Sequence, residues 1–253
     1  MDAKNKQVKP ANTVITYRTP IYLQLREIVR NRIEEGEYLP GMAIPSENEL
    51  AETFGINRIT VRNALDALVN EGMLQRVQGK GVFVLGNKYE EVLEEHGGFV
   101  PNLASGKATV STKEQVKSLR PAGDKFANLF DIAPEDPIYF IRHLNLVGGE
   151  AASMEEIYVP QDICPQLDAV NTSVFPMRDV FAFYDVEMCS MRQSLEIIQG
   201  LSKTRKMLDV PDGVALIMME CTFRDKTGRV IEFSRSFFRG DRSSFRITLS
   251  DRP

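Results

Sequence analysis

The feature that most constrains this chain is a pair of helix-start signals that follow one another closely. Ser46, with Glu49 three residues later, forms a capping box, which marks the first turn of a helix. Gly55 is expected to end this helix after about two turns, because glycine readily adopts the left-handed conformation found just beyond many helices. Asn57 can then cap a second helix. Two helices joined by so short a turn predict a helix-turn-helix.

The chain on either side of these helices completes a small domain. A further helix is predicted within residues 20–36, and its expected apolar face is made of Ile21, Leu25, Ile28 and Ile33. The second helix of the pair carries a similar stripe of Val61, Ala64, Leu65 and Leu68. After Gly72, residues 74–77 and 82–84 are typical of strands, and residues 78–81 fit the turn between them. This order of elements predicts a winged helix-turn-helix, whose second helix enters the major groove of DNA.

Several residues of this domain are candidates for DNA contact. Arg58 and Arg62 lie one turn apart at the start of the second helix, where arginine can bond guanine O6 and N7 bidentately. Singly, an arginine pair is usually a solvated face and a Gly-Lys-Gly tip is usually an ordinary turn, but their combination predicts DNA binding. The predicted contacts are Ser46, Glu47, Asn48, Arg58, Thr60, Arg62, Gln78, Gly79 and Lys80.

The net charge of −4 is unevenly distributed along the chain. Residues 1–88 carry 12 lysines and arginines against 10 aspartates and glutamates, whereas residues 89–253 carry 19 against 25. Phosphate affinity depends on local positive charge, so the acidic total does not exclude a nucleic-acid partner. The difference between the two parts favours two domains with different partners.

Cysteine spacing and hydropathy exclude several other classes of protein. Cys164, Cys189 and Cys221 are widely spaced, and only His96 and His143 could join them, so we expect no disulfide framework, metal site or cofactor. The sequence contains no apolar run of about 18 residues and no leader-like start, so we expect a cytoplasmic protein without a membrane span.

The pattern changes beyond residue 85. Residues 86–98 are rich in glutamate and are expected to form an exposed linker. Strands are then predicted at 138–147, 154–159, 188–198, 215–224, 230–238 and 245–249, the last of which is expected to close the sheet. Helices are predicted at 126–129, 174–184 and 203–208. Because helices do not alternate regularly with these strands, the pattern predicts an α+β domain with an antiparallel sheet.

We therefore divide the chain into four parts. They are a flexible arm at 1–16, a winged helix-turn-helix DNA-binding domain at 17–85, a linker at 86–97 and a second domain at 98–253.

Three segments of the first domain carry a resemblance to a known family. They are Pro45–Ala51, Ile56–Leu65 and Gly72–Leu74. These motifs resemble the GntR family of bacterial transcription regulators over about residues 20–84. The resemblance implies DNA contacts at Arg58, Thr60, Arg62, Gly79 and Lys80. At the position of Asn48 many relatives have an arginine that contacts DNA, so this chain departs from the family there.

The second domain carries a further resemblance, strongest over Glu232–Arg242 and supported by Glu155, Tyr158–Pro160 and Ser173–Phe175. These residues resemble the HutC subfamily, whose effector domain is called UTRA. The resemblance implies a chorismate-lyase-like antiparallel sheet with flanking helices, a homodimer formed through the sheet, and a pocket for a small molecule. The implied effector contacts are His143, Asn145, Glu155, Ser173, Phe175, Glu232 and Phe238, although Phe175 and Phe238 are also good candidates for the core.

One departure from the subfamily concerns the effector. Relatives that bind sugar phosphates usually carry two arginines where this chain has His143 and Asn145. A dianionic phosphate favours a guanidinium fork, which neutral histidine and asparagine do not provide. A sugar phosphate, a neutral sugar, an amino-acid derivative and another polar metabolite therefore all remain open.

The sequence thus predicts a metabolite-responsive repressor that binds a palindromic operator as a homodimer. An enzyme is the first alternative, since Glu155 and Glu232 are the residue type of an acid–base pair, but no nucleophile elbow, P-loop or metal set accompanies them. A purely architectural DNA binder is the second, and it leaves the large acidic second domain unexplained. We therefore expect no enzymatic activity.

Overall fold

A computed structural model describes residues 20–86, 100–102, 110–199 and 202–246. The predicted arm at 1–16 and most of the predicted linker at 86–97 lie outside these residues. The chain divides into two compact units, and the division in sequence falls between Leu85 and Gly86.

The first unit contains three helices and a hairpin. The helices are α1 (Ile21–Glu34), α2 (Glu47–Phe54) and α3 (Arg58–Asn70), and the strands are β1 (Leu74–Val77) and β2 (Gly81–Val84). The two strands pair in antiparallel fashion. This order confirms the predicted winged helix-turn-helix.

The local signals that predicted α2 and α3 are present in the structure. The Glu49 backbone N–H donates to Ser46 Oγ, and the Ser46 backbone N–H donates to the Glu49 carboxylate at 2.7 Å, which completes the capping box. Gly55 ends α2 with φ at +63°. The Thr60 backbone N–H donates to Asn57 Oδ1 at 2.7 Å. These contacts fix the turn between α2 and α3, and with it the direction in which α3 points.

The core of the first unit lies between the three helices and the hairpin. It includes Leu25, Val29, Leu50, Val61, Ala64, Leu65, Leu68, Leu74 and Val84. The predicted apolar stripe of α3 is therefore confirmed. The prediction for Ile21 is wrong, since this first residue of α1 is 46% exposed and the buried face of the helix begins at Leu25.

The second unit is built on a six-stranded antiparallel sheet. Its strands are β4 (Val110–Pro121), β5 (Pro137–Val147), β6 (Glu150–Pro160), β7 (Ser190–Ile198), β8 (Leu216–Arg224) and β9 (Val230–Arg239). Their order across the sheet is β4-β5-β6-β9-β8-β7, with every neighbouring pair antiparallel. The predicted α+β class with an antiparallel sheet is therefore confirmed.

Three helices and a small second sheet complete this unit. The helices are α4 (Gly123–Phe130), α5 (Met177–Phe183) and α6 (Ser202–Met207), and the further strands are β3 (Val100–Asn102) and β10 (Ser244–Arg246). Phe126 and Phe130 of α4 pack with Tyr158 and Phe233 on one face of the main sheet. On the same face, residues next to α6 pack against Met154 and Phe237. Side chains alternate along a strand, so Glu155 and Glu232 point to the opposite face.

Two predictions about this unit need correction, and one strand was not predicted. The closing strand within 245–249 does not join the main sheet in the described residues, because β4 and β7 form its edges and β10 pairs with β3. The predicted helix at 174–184 begins later, at Met177, because Pro176 has the extended ψ of 153°. Strand β4 was not predicted, since an edge strand such as Val110–Pro121 can be largely polar and then lacks an apolar alternation.

Candidate functional site

The start of α3 presents a basic, solvent-exposed surface. The side chains of Arg58 and Arg62 are 61% and 59% exposed. Between them, Ile59 is 73% exposed, which is unusual for a large aliphatic residue. A short helix that begins with two exposed guanidinium groups can approach a polyanion without first breaking its own packing.

One carboxylate organises the arginines of this surface. Glu47, at the first position of α2, is 3.5 Å from Arg58, 3.2 Å from Arg62 and 2.8 Å from Arg76 of β1. Its side chain is only 11% exposed. Partial burial alone would raise the pKa of Glu47, but hydrogen bonds from Arg62 and Arg76 hold it below the usual value. Glu47 therefore carries a negative charge and holds three guanidinium groups from α3 and β1 in one cluster, in which Arg76 also lies 2.9 Å from Asp66.

The other predicted DNA contacts occupy the neighbouring surface of the same unit. Ser46 and Asn48 are exposed at the start of α2, and Thr60 is half-buried in the first turn of α3. In the hairpin, Gln78, Gly79 and Lys80 are all exposed. Gly79 has φ at +74°, a conformation that side-chain-bearing residues rarely adopt. The turn between β1 and β2 thus requires glycine at this position for its backbone shape alone.

The second unit contains a cavity of about 510 Å³ on the face of the sheet opposite α4. Its floor is formed by side chains of β5, β6 and β9, and segments near α5 and the start of β7 form its walls. The lining residues are Thr112, His143, Asn145, Glu155, Ile157, Thr172, Ser173, Val174, Pro176, Met177, Arg178, Met188, Ser190, Met191, Phe223 and Glu232. This volume is in the range of sites that hold small molecules.

A hydrogen-bonded chain fixes the orientation of His143. Thr172 Oγ1 donates to Glu114 Oε2 at 2.7 Å and lies 2.9 Å from His143 Nε2. Because the single hydroxyl hydrogen of Thr172 is used on Glu114, His143 Nε2 must be the donor to Thr172. Glu114 is in turn 2.9 Å from Lys117 Nζ. The strand register places His143 directly opposite Glu155, and its Nδ1 lies 4.0 Å from Glu155 Oε2.

Asn145 is held by its neighbours in a similar way. Thr112 Oγ1 donates to Asn145 Oδ1 at 2.8 Å, and Asn145 Nδ2 donates to Ser153 Oγ at 3.1 Å. Both ends of the amide are therefore oriented before any ligand arrives. Such preorganised polar groups give a cavity selectivity without further side-chain ordering.

The two glutamates of the cavity have unusual protonation. Burial raises the pKa of Glu232 to about 8, and the negative charge of Glu155 contributes to the shift. Burial also raises the pKa of Glu155, against a hydrogen bond from Ser236 Oγ at 3.4 Å. Near neutral pH the empty cavity therefore retains a proton on Glu232.

The structure brings together five of the seven predicted effector residues. His143, Asn145, Glu155, Ser173 and Glu232 all line the cavity. Phe175 and Phe238 are not among the described lining residues. Phe175 is 3% exposed and packs against Phe183 with ring centroids 5.3 Å apart, and Phe238 is 2% exposed and packs against Phe245 at 5.0 Å. Both aromatic residues belong to the core in the described structure.

Sequence reasoning missed several lining residues. Thr112 lies on the unpredicted strand β4, Met191 lies on the edge strand β7, and Met188 lies just before that strand. Thr172 adjoins the predicted Ser173, and Arg178 lies in the first turn of α5. Strand alternation around Glu232 was a usable signal for the floor, but the walls come from irregular segments whose position depends on the whole fold.

The described residues form neither a metal-ligand cluster nor a membrane-spanning helix. Within the described ranges, no group of three or more histidine, cysteine or acidic residues is arranged to hold a metal ion. No helix in that part of the chain combines the length and hydropathy needed to cross a bilayer.

Comparison with known proteins gives two family matches and sequence similarity to transcription regulators over most of the chain. Residues 21–84 match the family model "Bacterial regulatory proteins, gntR family", and residues 107–244 match the UTRA domain. The HTH-type transcriptional repressor NagR of Bacillus subtilis is 28% identical over 89% of this chain and 93% of its own length. The uncharacterized HTH-type transcriptional regulator YurK of the same organism is 30% identical over 90% and 95%. The crystal structure of PhnF from Mycobacterium smegmatis covers 92% of this chain and 100% of its own, with 17% identity and a TM-score of 0.54, which supports the fold.

Proposed function

The chain belongs to the gntR family of bacterial regulatory proteins and carries a UTRA domain, and we propose that it acts as a homodimeric repressor whose operator affinity is set by a small molecule in the cavity of the second unit. The observation that carries this proposal is the cavity itself. It contains oriented polar groups and lies in a chain whose other unit is a DNA-binding fold. We place the protein in the HutC subfamily and in the cytoplasm, where its DNA partner would be.

The proposed DNA contacts follow from the exposed surface at the start of α3. Arg58 and Arg62 would meet base edges or phosphates in the major groove, and Thr60 would contact a phosphate or a thymine methyl group. Ser46 and Asn48 would approach the backbone beside them, and Glu47 would hold Arg58 and Arg62 in place for their contacts. The hairpin residues Gln78, Gly79 and Lys80 would approach the adjacent sugar-phosphate chain. One such domain covers only a few base pairs, so two copies reading half-sites about one DNA turn apart would give a useful operator length.

We propose that the main sheet supplies the dimer contact. Strand β7 forms one edge of that sheet, and Ile197 on it is 79% exposed. Edge strands with exposed apolar residues are favourable for pairing with another chain. Sedimentation of the full-length protein measures this directly, and a monomer at concentrations that saturate the operator would contradict it.

The proposed effector contacts are His143, Asn145, Glu155, Ser173 and Glu232. Binding there would stabilise one arrangement of the DNA-binding units over another. Coupling between two such sites is typically about 1–3 kcal/mol, which corresponds to a change of about 5-fold to 150-fold in operator affinity. The coupling is reciprocal, so the operator must change effector affinity by the same factor.

The test begins with an operator selected from random DNA by the full-length protein. A thermal-shift screen of sugars, sugar phosphates, amino acids and their derivatives then identifies a ligand, which at 100 times its dissociation constant adds about 2.7 kcal/mol of stability. Operator affinity is measured with and without that ligand. Unchanged affinity at saturation would contradict the proposal.

A variant pair links this response to the cavity. Glu232→Gln should abolish the effect of the ligand on operator affinity while leaving operator binding itself unchanged. Glu135→Gln removes one exposed carboxylate from the turn between α4 and β5, outside the cavity lining, and should respond like the unmodified protein. Assaying the same ligands for chemical conversion tests the alternative in which Glu155 and Glu232 act as an acid–base pair.

A further inference from the structure

The cavity is acidic, and its acidic groups are not matched by basic ones. Glu155 of β6 and Glu232 of β9 line it, and Arg178 is the one lysine or arginine among the described lining residues. The Arg178 side chain is 47% exposed and lies 3.5 Å from Asp179. Its charge is therefore screened by water and by a neighbouring carboxylate. The two glutamates are the strongest electrostatic feature of the cavity.

Neither glutamate forms an ion pair with a lysine or arginine in the part of the chain that the structure describes. Glu232 is 4% exposed, so water does not readily solvate it. Glu155 accepts a hydrogen bond from Ser236 Oγ at 3.4 Å and lies 4.0 Å from His143 Nδ1. An ionised carboxylate that leaves water without a cationic partner costs free energy. The arrangement is therefore one that a cation entering the cavity would stabilise.

On the opposite face of the sheet, carboxylates form ion pairs with arginine side chains. Glu156, next to Glu155 on β6, lies 2.7 Å from Arg142, and both side chains are less than one-fifth exposed. Glu220 of β8 pairs with Arg235 of β9. On that face each of these carboxylates has a guanidinium group on a neighbouring strand. Arginine–glutamate ion pairs between neighbouring strands therefore form on one face of this sheet, and the two glutamates of the cavity on the other face have no such pair among the described residues.

We propose that the cavity binds a small organic cation, with a protonated amine held by the carboxylates of Glu155 and Glu232. This inference rests on the proposed function, because the cavity is the proposed effector site. The carbon skeleton of such a ligand would contact Met188, Met191 and Phe223, which line the same space. Methionine and aromatic side chains suit both the apolar part of an organic cation and the ammonium group itself.

Binding of an ammonium group would be coupled to a proton. In the empty cavity Glu232 keeps its proton up to about pH 8, since burial and the charge of Glu155 raise its pKa. An ammonium group favours the ionised carboxylate, so the cation displaces the proton and binds more tightly as the pH rises towards 8. Burial also raises the pKa values of the neighbouring thiols Cys164 and Cys221, which therefore stay neutral over this range. His143 and Arg178 are the other titratable or charged side chains that line the cavity.

The experiment compares probes that share one carbon skeleton and differ only in charge. Glucamine, sorbitol and sorbitol 6-phosphate supply an ammonium group, a hydroxyl group and a phosphate on a six-carbon polyol. Affinity for the full-length protein is measured by calorimetry at pH 6.5 and 8. Glucamine should bind at least about tenfold more tightly than sorbitol, a difference of about 1.4 kcal/mol, and sorbitol 6-phosphate should bind most weakly. Only the ammonium probe should bind more tightly at the higher pH.

Variants test whether the two carboxylates are responsible. Glu155→Gln and Glu232→Gln should each remove the preference for glucamine, whereas Glu135→Gln, in the exposed turn between α4 and β5, should retain it. The inference would be overturned if sorbitol or its phosphate bound more tightly than glucamine. It would also be overturned if glucamine did not bind at 10 mM, which is about the weakest affinity such a site should show. Operator affinity is measured on the same samples. If it responds to sorbitol 6-phosphate, the proposed function stands and the cation inference fails; if no operator is bound at all, the proposed function fails independently.

Discussion

The two candidate sites distribute charge in opposite ways. At the start of α3 three guanidinium groups share the carboxylate of Glu47 on an exposed surface, and one of them, that of Arg76, also contacts Asp66. In the cavity two carboxylates, Glu155 and Glu232, have no lysine or arginine partner among the described residues; Glu232 is 4% exposed, and the Glu155 side chain is 30% exposed. The first site has an excess of positive charge and the second an excess of negative charge.

This difference indicates what each site is suited to receive. Excess guanidinium groups that remain hydrated cost little and stay available to phosphates. Excess carboxylates inside a cavity are costly, and the chain limits that cost by keeping a proton on Glu232. The positive charges at the surface are thus stabilised by hydration, whereas the negative charge in the cavity is reduced by protonation. Each of these two effects leads to a quantitative prediction about a variant.

The largest expected effect concerns the stored proton. The pKa of Glu232 in the folded chain, about 8, lies above that of an ordinary glutamate, so the folded state holds a proton that the unfolded state releases. Stability is therefore lost as the pH rises from the ordinary glutamate value towards 8. We expect this group to cost about 3 kcal/mol between pH 5 and pH 8, and Glu232→Gln to remove that cost. Denaturant unfolding of both proteins at the two pH values measures the difference.

The matched control is Glu135→Gln, which changes an exposed glutamate in the turn between α4 and β5. Its stability should follow that of the unmodified protein at both pH values. A Glu232→Gln variant whose advantage stays constant between pH 5 and pH 8 would mean that Glu232 is ionised throughout, and the contrast between the two sites would then disappear.

The next effect concerns the exposed guanidinium groups. Arg62→Ala should weaken binding to the selected operator by about 30-fold, or about 2 kcal/mol, because a bidentate contact to guanine is lost. Binding to random DNA should weaken far less, since only one charge is removed. Fluorescence anisotropy with both DNAs at fixed salt measures the two losses.

Arg224→Ala provides a comparison, because it removes an exposed arginine at the end of β8 in the other unit. It should leave both affinities close to those of the unmodified protein. Equal losses on the operator and on random DNA for Arg62→Ala would identify Arg62 as a phosphate contact rather than a base contact.

The two sites also differ in how far the sequence predicts them. The first is local: the capping box at Ser46, the left-handed Gly55 and the Asn57 cap are each encoded within a few residues, and together they determine where Arg58 and Arg62 point. Even there, the ion pairs of Glu47 include Arg76, which lies on strand β1 of the hairpin. The charge cluster therefore required the fold, although each of its members is visible in the sequence.

The cavity depends more on distant parts of the chain. His143, Glu155 and Glu232 were predicted as effector contacts because the family resemblance implies them. Thr112 was not predicted, because β4 has too few apolar residues to be predicted as a strand. The positions of Met188 and Met191 depend on how the chain leaves α5 and joins the edge of the sheet, which no local pattern specifies. The aromatic side chains of Phe175 and Phe238 had two plausible environments, and packing against Phe183 and Phe245 decides between them.

The smallest expected effect tests whether Glu47 limits the positive charge at the start of α3. Glu47→Gln removes the carboxylate that holds Arg58, Arg62 and Arg76 together, so the local field becomes more positive while the arginines become less ordered. Random-DNA affinity should rise by about fivefold, or about 1 kcal/mol, and operator affinity should rise less, because the base contacts lose their preorganisation.

Glu52→Gln changes an exposed residue of the same helix and controls for the loss of one negative charge. If Glu52→Gln raises random-DNA affinity as much as Glu47→Gln, the cluster has no special role and the effect is one of net charge. If Glu47→Gln instead weakens binding to both DNAs, the carboxylate contributes to the DNA contact itself, and one acidic group would then be part of the surface that reads a polyanion.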